Sequence, residues 1–132
     1  MINVYTSVVC DLLHIGHINL FRKAKGLGDK LIVGVITDEG VNQYKRTPII
    51  PVEQRIAVVS SIKYVDLAIE QNTRSGVENM KQLGVKKVGD LGCGSADVLI
   101  SLCEEDKNLS GIGVDISQDA LDEAKLRIGQ KK

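Results

Sequence analysis

Residues 2–37 read I-N-V-Y-T-S-V-V-C-D-L-L-H-I-G-H-I-N-L-F-R-K-A-K-G-L-G-D-K-L-I-V-G-V-I-T. The β-branched run from Ile2 to Val9 predicts a strand, and His14 to Leu27 carries helical spacing up to a stop at Gly28. Lys30 to Thr37 is a second strand, apolar almost throughout, as expected where both faces of a parallel sheet are covered. A strand, a helix and another strand in this order form a parallel crossover unit. The pattern continues outward. After a polar loop from Asp38 to Thr47, helical spacing returns over Val52 to Lys63, followed by a short strand at Val65 to Ile69. A helix over Ser75 to Leu83, stopped by Gly84, leads to a strand at Val85 to Gly89. A helix over Ala96 to Glu105, a strand at Gly111 to Ile116 and a last helix capped by Ser117 complete the alternation. Residues 1–132 are therefore predicted to form one α/β domain. Its expected architecture is a Rossmann-like, doubly wound parallel sheet of five strands, order 3-2-1-4-5, with helices on both faces. Ligands of such sheets bind beyond the carboxyl ends of the strands, so the chemistry is sought there.

Composition narrows the function. The 132 residues hold 17 basic and 17 acidic side chains, so the chain lacks the basic footprint of a general nucleic-acid binder. No apolar run approaches the roughly 18 residues of a membrane span, and the N-terminus has no basic leader before a long apolar stretch. Cys10, Cys93 and Cys103 make an odd count without a C-x-x-C pair, which reads as reduced thiols rather than a disulfide framework or structural zinc. The expected setting is cytoplasmic, without nucleic-acid or membrane partners.

Two motifs carry chemistry. The first is Cys10-Asp11-Leu12-Leu13-His14-Ile15-Gly16-His17, where a strand runs into a helix. Two histidines three positions apart at a helix start lie on neighbouring points of its first turn. Gly16 leaves room for close approach to the backbone, and the free N–H groups and positive dipole end favour a phosphate. Imidazoles donating to phosphate oxygens would stabilise charge developing on phosphorus or on departing pyrophosphate.

These residues resemble a cytidylyltransferase of the HxGH nucleotidyltransferase superfamily, of the glycerol-3-phosphate, phosphoethanolamine or phosphonate type. The resemblance extends through Y-K-R-T-P-I-I-P-V-E-Q-R (44–55) and S-I-K-Y-V-D (61–66), about half the chain. It implies that His14 and His17 hold a triphosphate and that Lys45, Arg46 and Arg55 supply cations, these five forming the catalytic set. It further implies that Asp11 and Gly16 line the nucleotide, with Asp11 orienting the site or its magnesium ion, and that Asp38 meets the acceptor. CTP with Mg2+ is the implied nucleotide, and a homodimer the implied assembly. Two departures stand out. Where such enzymes carry a G-T-F-D-like segment, this chain has Val8-Val9-Cys10-Asp11, and no R-T-x-x-I-S-T-like closing segment follows Leu91.

The second motif is Asp90-Leu91-Gly92-Cys93-Gly94-Ser95-Ala96, with L-S-G-I-G-V-D-I-S from Leu109. A strand, a Gly-rich turn and a helix form a dinucleotide-type fingerprint, and Asp115 follows at about the 20-residue distance of a ribose-binding acid. This stretch resembles the first half of a class I S-adenosylmethionine-dependent methyltransferase. The resemblance implies that Asp90, Gly92, Gly94 and Asp115 contact that cofactor. Together the two resemblances imply an engineered or recombined chimera, a cytidylyltransferase-like half (1–88) joined to a methyltransferase-like half (89–132), that binds nucleotide with weak or no turnover. A natural fusion, an S-adenosylmethionine-binding fragment and a scaffold without activity stay open as alternatives.

Overall fold

A computed structural model describes residues 2–43, 46–73, 76–85, 87–91, 104, 110–114 and 122. Its strands are β1 (Asn3–Val8), β2 (Lys30–Ile36), β3 (Leu67–Gln71), β4 (Lys87–Leu91) and β5 (Ser110–Val114). The helices among these residues are α1 (Ile15–Lys25), α2 (Asp38–Asn42), α3 (Val52–Ser60) and α4 (Val77–Gln82). The helices expected over 96–105 and 117–128 fall largely outside the described residues.

Every strand pairing is parallel, and the sheet runs β3-β2-β1-β4-β5. The α/β class read from the sequence is thus what the chain forms. Because β2 follows β1 on one side while β4 lies on the other, the winding reverses between β1 and β4, the place where such sheets receive ligands.

β1 and β2 are covered on both faces, which explains their apolar content. Val4 and Val8 of β1 join Leu31, Val33 and Val35 of β2 in a core closed by Leu20, Phe21 and Ala24 of α1 and Val52 and Val59 of α3. Val8, which stands in the segment that departs from the G-T-F-D-like pattern, packs in this core. Alternation sends Tyr5 and Ser7 to the opposite face. There the Tyr5 hydroxyl donates to Gln71 Oε1 at 2.7 Å, and Ser7 Oγ donates to the same oxygen at 2.8 Å. Asn79 of α4 donates to Tyr5 Oη at 3.2 Å and to the Glu70 carbonyl at 2.8 Å, tying that helix to the sheet.

Tyr5 reaches Gln71 across β2 because position 34 has no side chain: a Cβ there would overlap Tyr5 Oη and stand 2.5 Å from Gln71 Oε1. Gly34→Ala is therefore expected to destabilise by about 2 kcal/mol or more, as overpacking does, with loss of a buried hydrogen bond added. Urea unfolding followed by circular dichroism checks this. An unchanged midpoint would mean that Tyr5 does not cross β2 at this point.

Several boundaries shift from expectation. α1 ends at Lys25, with Gly26 as its C-cap in ordinary helical geometry, before the expected stop at Gly28. β3 lies two residues later, at Leu67–Gln71, because Asp66 accepts from the Leu31 N–H at 2.7 Å and fixes where the pairing begins. The polar loop expected from Asp38 contains α2. Thr37 Oγ1 accepts from the Gly40 N–H, and Asp38 and Glu39 complement the dipole in its first turn.

Candidate active site

The chain leaves β1 through Val9, Cys10 and Asp11, and this exit is tightly specified. Cys10 adopts φ of 54°, a left-handed conformation unusual for a residue with a side chain. Its thiol is buried and free; burial pushes its pKa up to about 12, against the opposing pull of Arg55. Such a thiol is chemically inert. Cys93 and Cys103 lie outside the described residues.

His14 ends the exit and caps α1, by a reciprocal device. Its Nδ1 accepts from the Gly16 N–H at 3.0 Å, while His17 Nδ1 accepts from the His14 N–H at 3.1 Å. The pair forms a capping box built from imidazoles instead of the usual hydroxyl and carboxylate. The rings lie 4.1 Å apart, tilted by 48°. With each Nδ1 engaged as an acceptor, each neutral ring carries its proton on Nε2. The helix start therefore offers two Nε2–H donors, while the N–H groups of His14, Gly16, His17 and Ile18 are already paired within the cap and first turn. Gly16 has a local cause too: a Cβ there would come within 2.7 Å of the His14 ring that caps its own N–H. His17 is held below the ordinary histidine value, first by burial and then by the charge of His14.

Asp11 turns to the loop preceding α3. Its Oδ2 accepts from the Ile49 N–H at 2.9 Å and its Oδ1 from the Ile50 N–H at 2.8 Å. These bonds, Ile49 first, hold its pKa below the usual carboxylate value. As for metal, no cluster of three or more His, Cys, Asp or Glu side chains able to hold an ion occurs among the described residues.

Arg55 is engaged within the domain on every side of its guanidinium. Only 1% exposed, it spends its guanidinium inside the domain. Nε donates to the Ile50 carbonyl at 2.8 Å, and NH1 donates to the carbonyls of Val9 at 2.8 Å and Ile36 at 2.7 Å. NH2 pairs with Asp38 Oδ1 at 2.6 Å. The reason lies in position: α3 packs on β2 and β3, which directs Arg55 at the open carbonyls of the strand ends. It fastens the exits of β1 and β2 to the 46–51 loop. Asp38, at the carboxyl end of β2, keeps about a third of its side chain exposed (35%) despite that pair.

The other expected residues divide plainly. Arg46 is exposed on the loop before Thr47. Asp90 sits in β4, its backbone paired in register with Gly113. Lys45, Gly92, Gly94 and Asp115 lie outside the described residues. The partners of Asp11 and Arg55 at Ile49 and Ile50 escaped the sequence reading. A usable signal existed, because Pro48 and Pro51 bracket two residues whose amides must find partners outside regular structure.

A parallel α/β sheet with a self-capped histidine pair at the exit of its central strand defines the class of domain. Comparison with known proteins makes this specific. The cytidylyltransferase-like family matches residues 9–125, and the chain belongs to that family. The matched range includes residues 88 and 89, where the sequence places a join between two halves. An ethanolamine-phosphate cytidylyltransferase of Arabidopsis thaliana is 37% identical over 83 residues, 62% of this chain and 20% of that protein. An FAD synthase of Archaeoglobus profundus is 48% identical over 69 residues, 52% of this chain and 44% of that protein. These alignments span less than half the length of either relative. Among solved structures, a lipopolysaccharide core biosynthesis protein of Thermoplasma volcanium superposes with a TM-score of 0.74 at 27% identity, covering 89% of this chain and 97% of that one. A pantoate-β-alanine ligase of Francisella tularensis, 14% identical with a TM-score of 0.62, shares the fold. No helix among the described residues is long and apolar enough to cross a membrane.

Proposed function

We propose that the domain binds a nucleoside triphosphate at the start of α1 and transfers its nucleotidyl group to a phosphate- or phosphonate-bearing small molecule, with CTP as the donor. An acceptor oxygen would attack the α-phosphorus, the bond from that phosphorus to the bridging oxygen would break, and pyrophosphate would leave with the electron pair. Such a reaction needs positioning and charge neutralisation, with no covalent nucleophile. The reciprocal His14–His17 capping box carries this reading, because it fixes two N–H donors where a triphosphate would lie. Arg46 and Lys45 would add cations from the loop, and the exposed side of Asp38 would face the acceptor. Magnesium would arrive on phosphate oxygens, its usual ligands in such sites, and no step is assigned to it. The S-adenosylmethionine reading of residues 89–132 has no part in this account.

A second donor has its own support: the 48% identity to an FAD synthase favours adenylyl transfer from ATP to FMN. Pyrophosphate release with CTP and glycerol 3-phosphate or ethanolamine phosphate, set against ATP and FMN, separates the two. Release with the first pair and much less with the second supports CTP; the reverse assigns the flavin reaction. No release and no calorimetric binding of either triphosphate would overturn the proposal.

A further inference from the structure

We propose that Asp11 is the anchor of the 46–51 loop, a positioning residue that sets where Arg46 stands relative to the imidazole donors of α1. The geometry is two-sided. Asp11 takes the amides of both Ile49 and Ile50, one on each oxygen. Arg55 takes the carbonyl of the same Ile50 through Nε. Ile50 is thus held by its N–H from the β1 exit and by its C=O from α3. The Ile49 side chain is 78% exposed, so packing of that side chain does not hold its part of the loop in place. Two charge-assisted hydrogen bonds from one carboxylate supply what burial does not. Asp11 lies three residues before the α1 cap and continues directly into Leu12, so the loop is referenced to the same backbone that places His14. Arg55 already ties Val9, Ile36 and Asp38, which makes the far side of the clamp rigid.

This part is distinct from contact with nucleotide or metal, and its kinetic consequence rests on the nucleotidyl-transfer reading above. Three measurements on the full chain test it. In the unsubstituted protein, the Ile49 and Ile50 amides should exchange with deuterium far more slowly than those of an open loop. In Asp11→Ala, trypsin should cleave after Lys45 and Arg46 at least about tenfold faster, the factor that one lost charge-assisted hydrogen bond gives, with the thermal midpoint little changed. Asp11→Asn retains one carbonyl oxygen and should fall between. With CTP as substrate, both variants should raise KM more than they lower kcat and leave the magnesium half-saturation unchanged, with Asn partly rescuing KM.

Open-loop exchange at Ile49 and Ile50 in the unsubstituted protein would overturn the anchor, even if the variants do not fold. So would unchanged cleavage in a folded Asp11→Ala, or a shifted magnesium half-saturation at unchanged cleavage, which would assign a metal role. Exchange and proteolysis need no turnover. A protein with protected amides and no nucleotidyl transfer would therefore keep the anchor while losing the proposed function.

Discussion

Replacing Arg55 by methionine is expected to lower stability by about 3–5 kcal/mol, the cost of breaking a buried charged network by removing one partner. For a domain of this length that corresponds to a fall in Tm of roughly 10–20 °C. The carbonyls dominate the effect. Asp38 keeps a third of its side chain in solvent, where an ion pair contributes little. The oxygens of Val9, Ile36 and Ile50 would each be left without the donor that now meets them. Arg55→Lys should recover only part of the loss, because a single ammonium cannot span three carbonyls and a carboxylate. Thermal unfolding of the two variants checks this. If both kept the parent midpoint and lost only nucleotide affinity, Arg55 would be a ligand contact after all.

His17→Ala should act on two levels at once. Loss of its half of the capping box costs about 0.5–2 kcal/mol of stability. Under the proposed function, loss of this donor to the triphosphate should lower turnover by roughly a hundredfold to a thousandfold. His14→Asn separates the levels. Asparagine is among the best N-caps, so the fold should be kept while the Nε2–H donor is lost. Acid should expose the same coupling. The unfolded chain takes up a proton on residue 17 near the ordinary histidine value of 6.5, whereas the folded chain resists to lower pH. Stability contributed by this residue is therefore full above pH 6.5 and is lost as pH falls towards the folded value. Protonation of Nδ1 also removes the acceptor for the His14 N–H, which works in the same direction. Urea midpoints at pH 7.5 and 5.5 should converge between parent and His17→Ala as pH falls. A constant difference would show that Nδ1 is not the acceptor.

The parts legible in the sequence are those governed by local pattern. β2 was readable because Leu31 to Ile36 is one apolar run, and the helix after Asp11 because its apolar spacing ends in glycine. The parity of β1 side chains followed from strand alternation, but the Tyr5–Gln71 bond across Gly34 did not, since it joins residues far apart in the chain. Arg55 shows the same limit more sharply. The resemblance through E-Q-R implies a cation for a nucleotide, and nothing local shows that its guanidinium also fastens strand ends. Tertiary packing of α3 decides that. The Gly-rich stretch after Asp90 resembles a second family by a short fingerprint, while the cytidylyltransferase-like match over residues 9–125 includes it.

The most direct test of the central claim is the proton on each imidazole. Long-range ¹H–¹⁵N spectra of the histidine rings at pH 7.5 should show each Nδ1 as a hydrogen-bond acceptor and the ring proton on Nε2. Addition of CTP with magnesium should shift both Nε2 resonances and leave the Nδ1 resonances nearly in place. Protons on Nδ1 in the free protein, or Nε2 signals indifferent to a saturating triphosphate, would contradict the account.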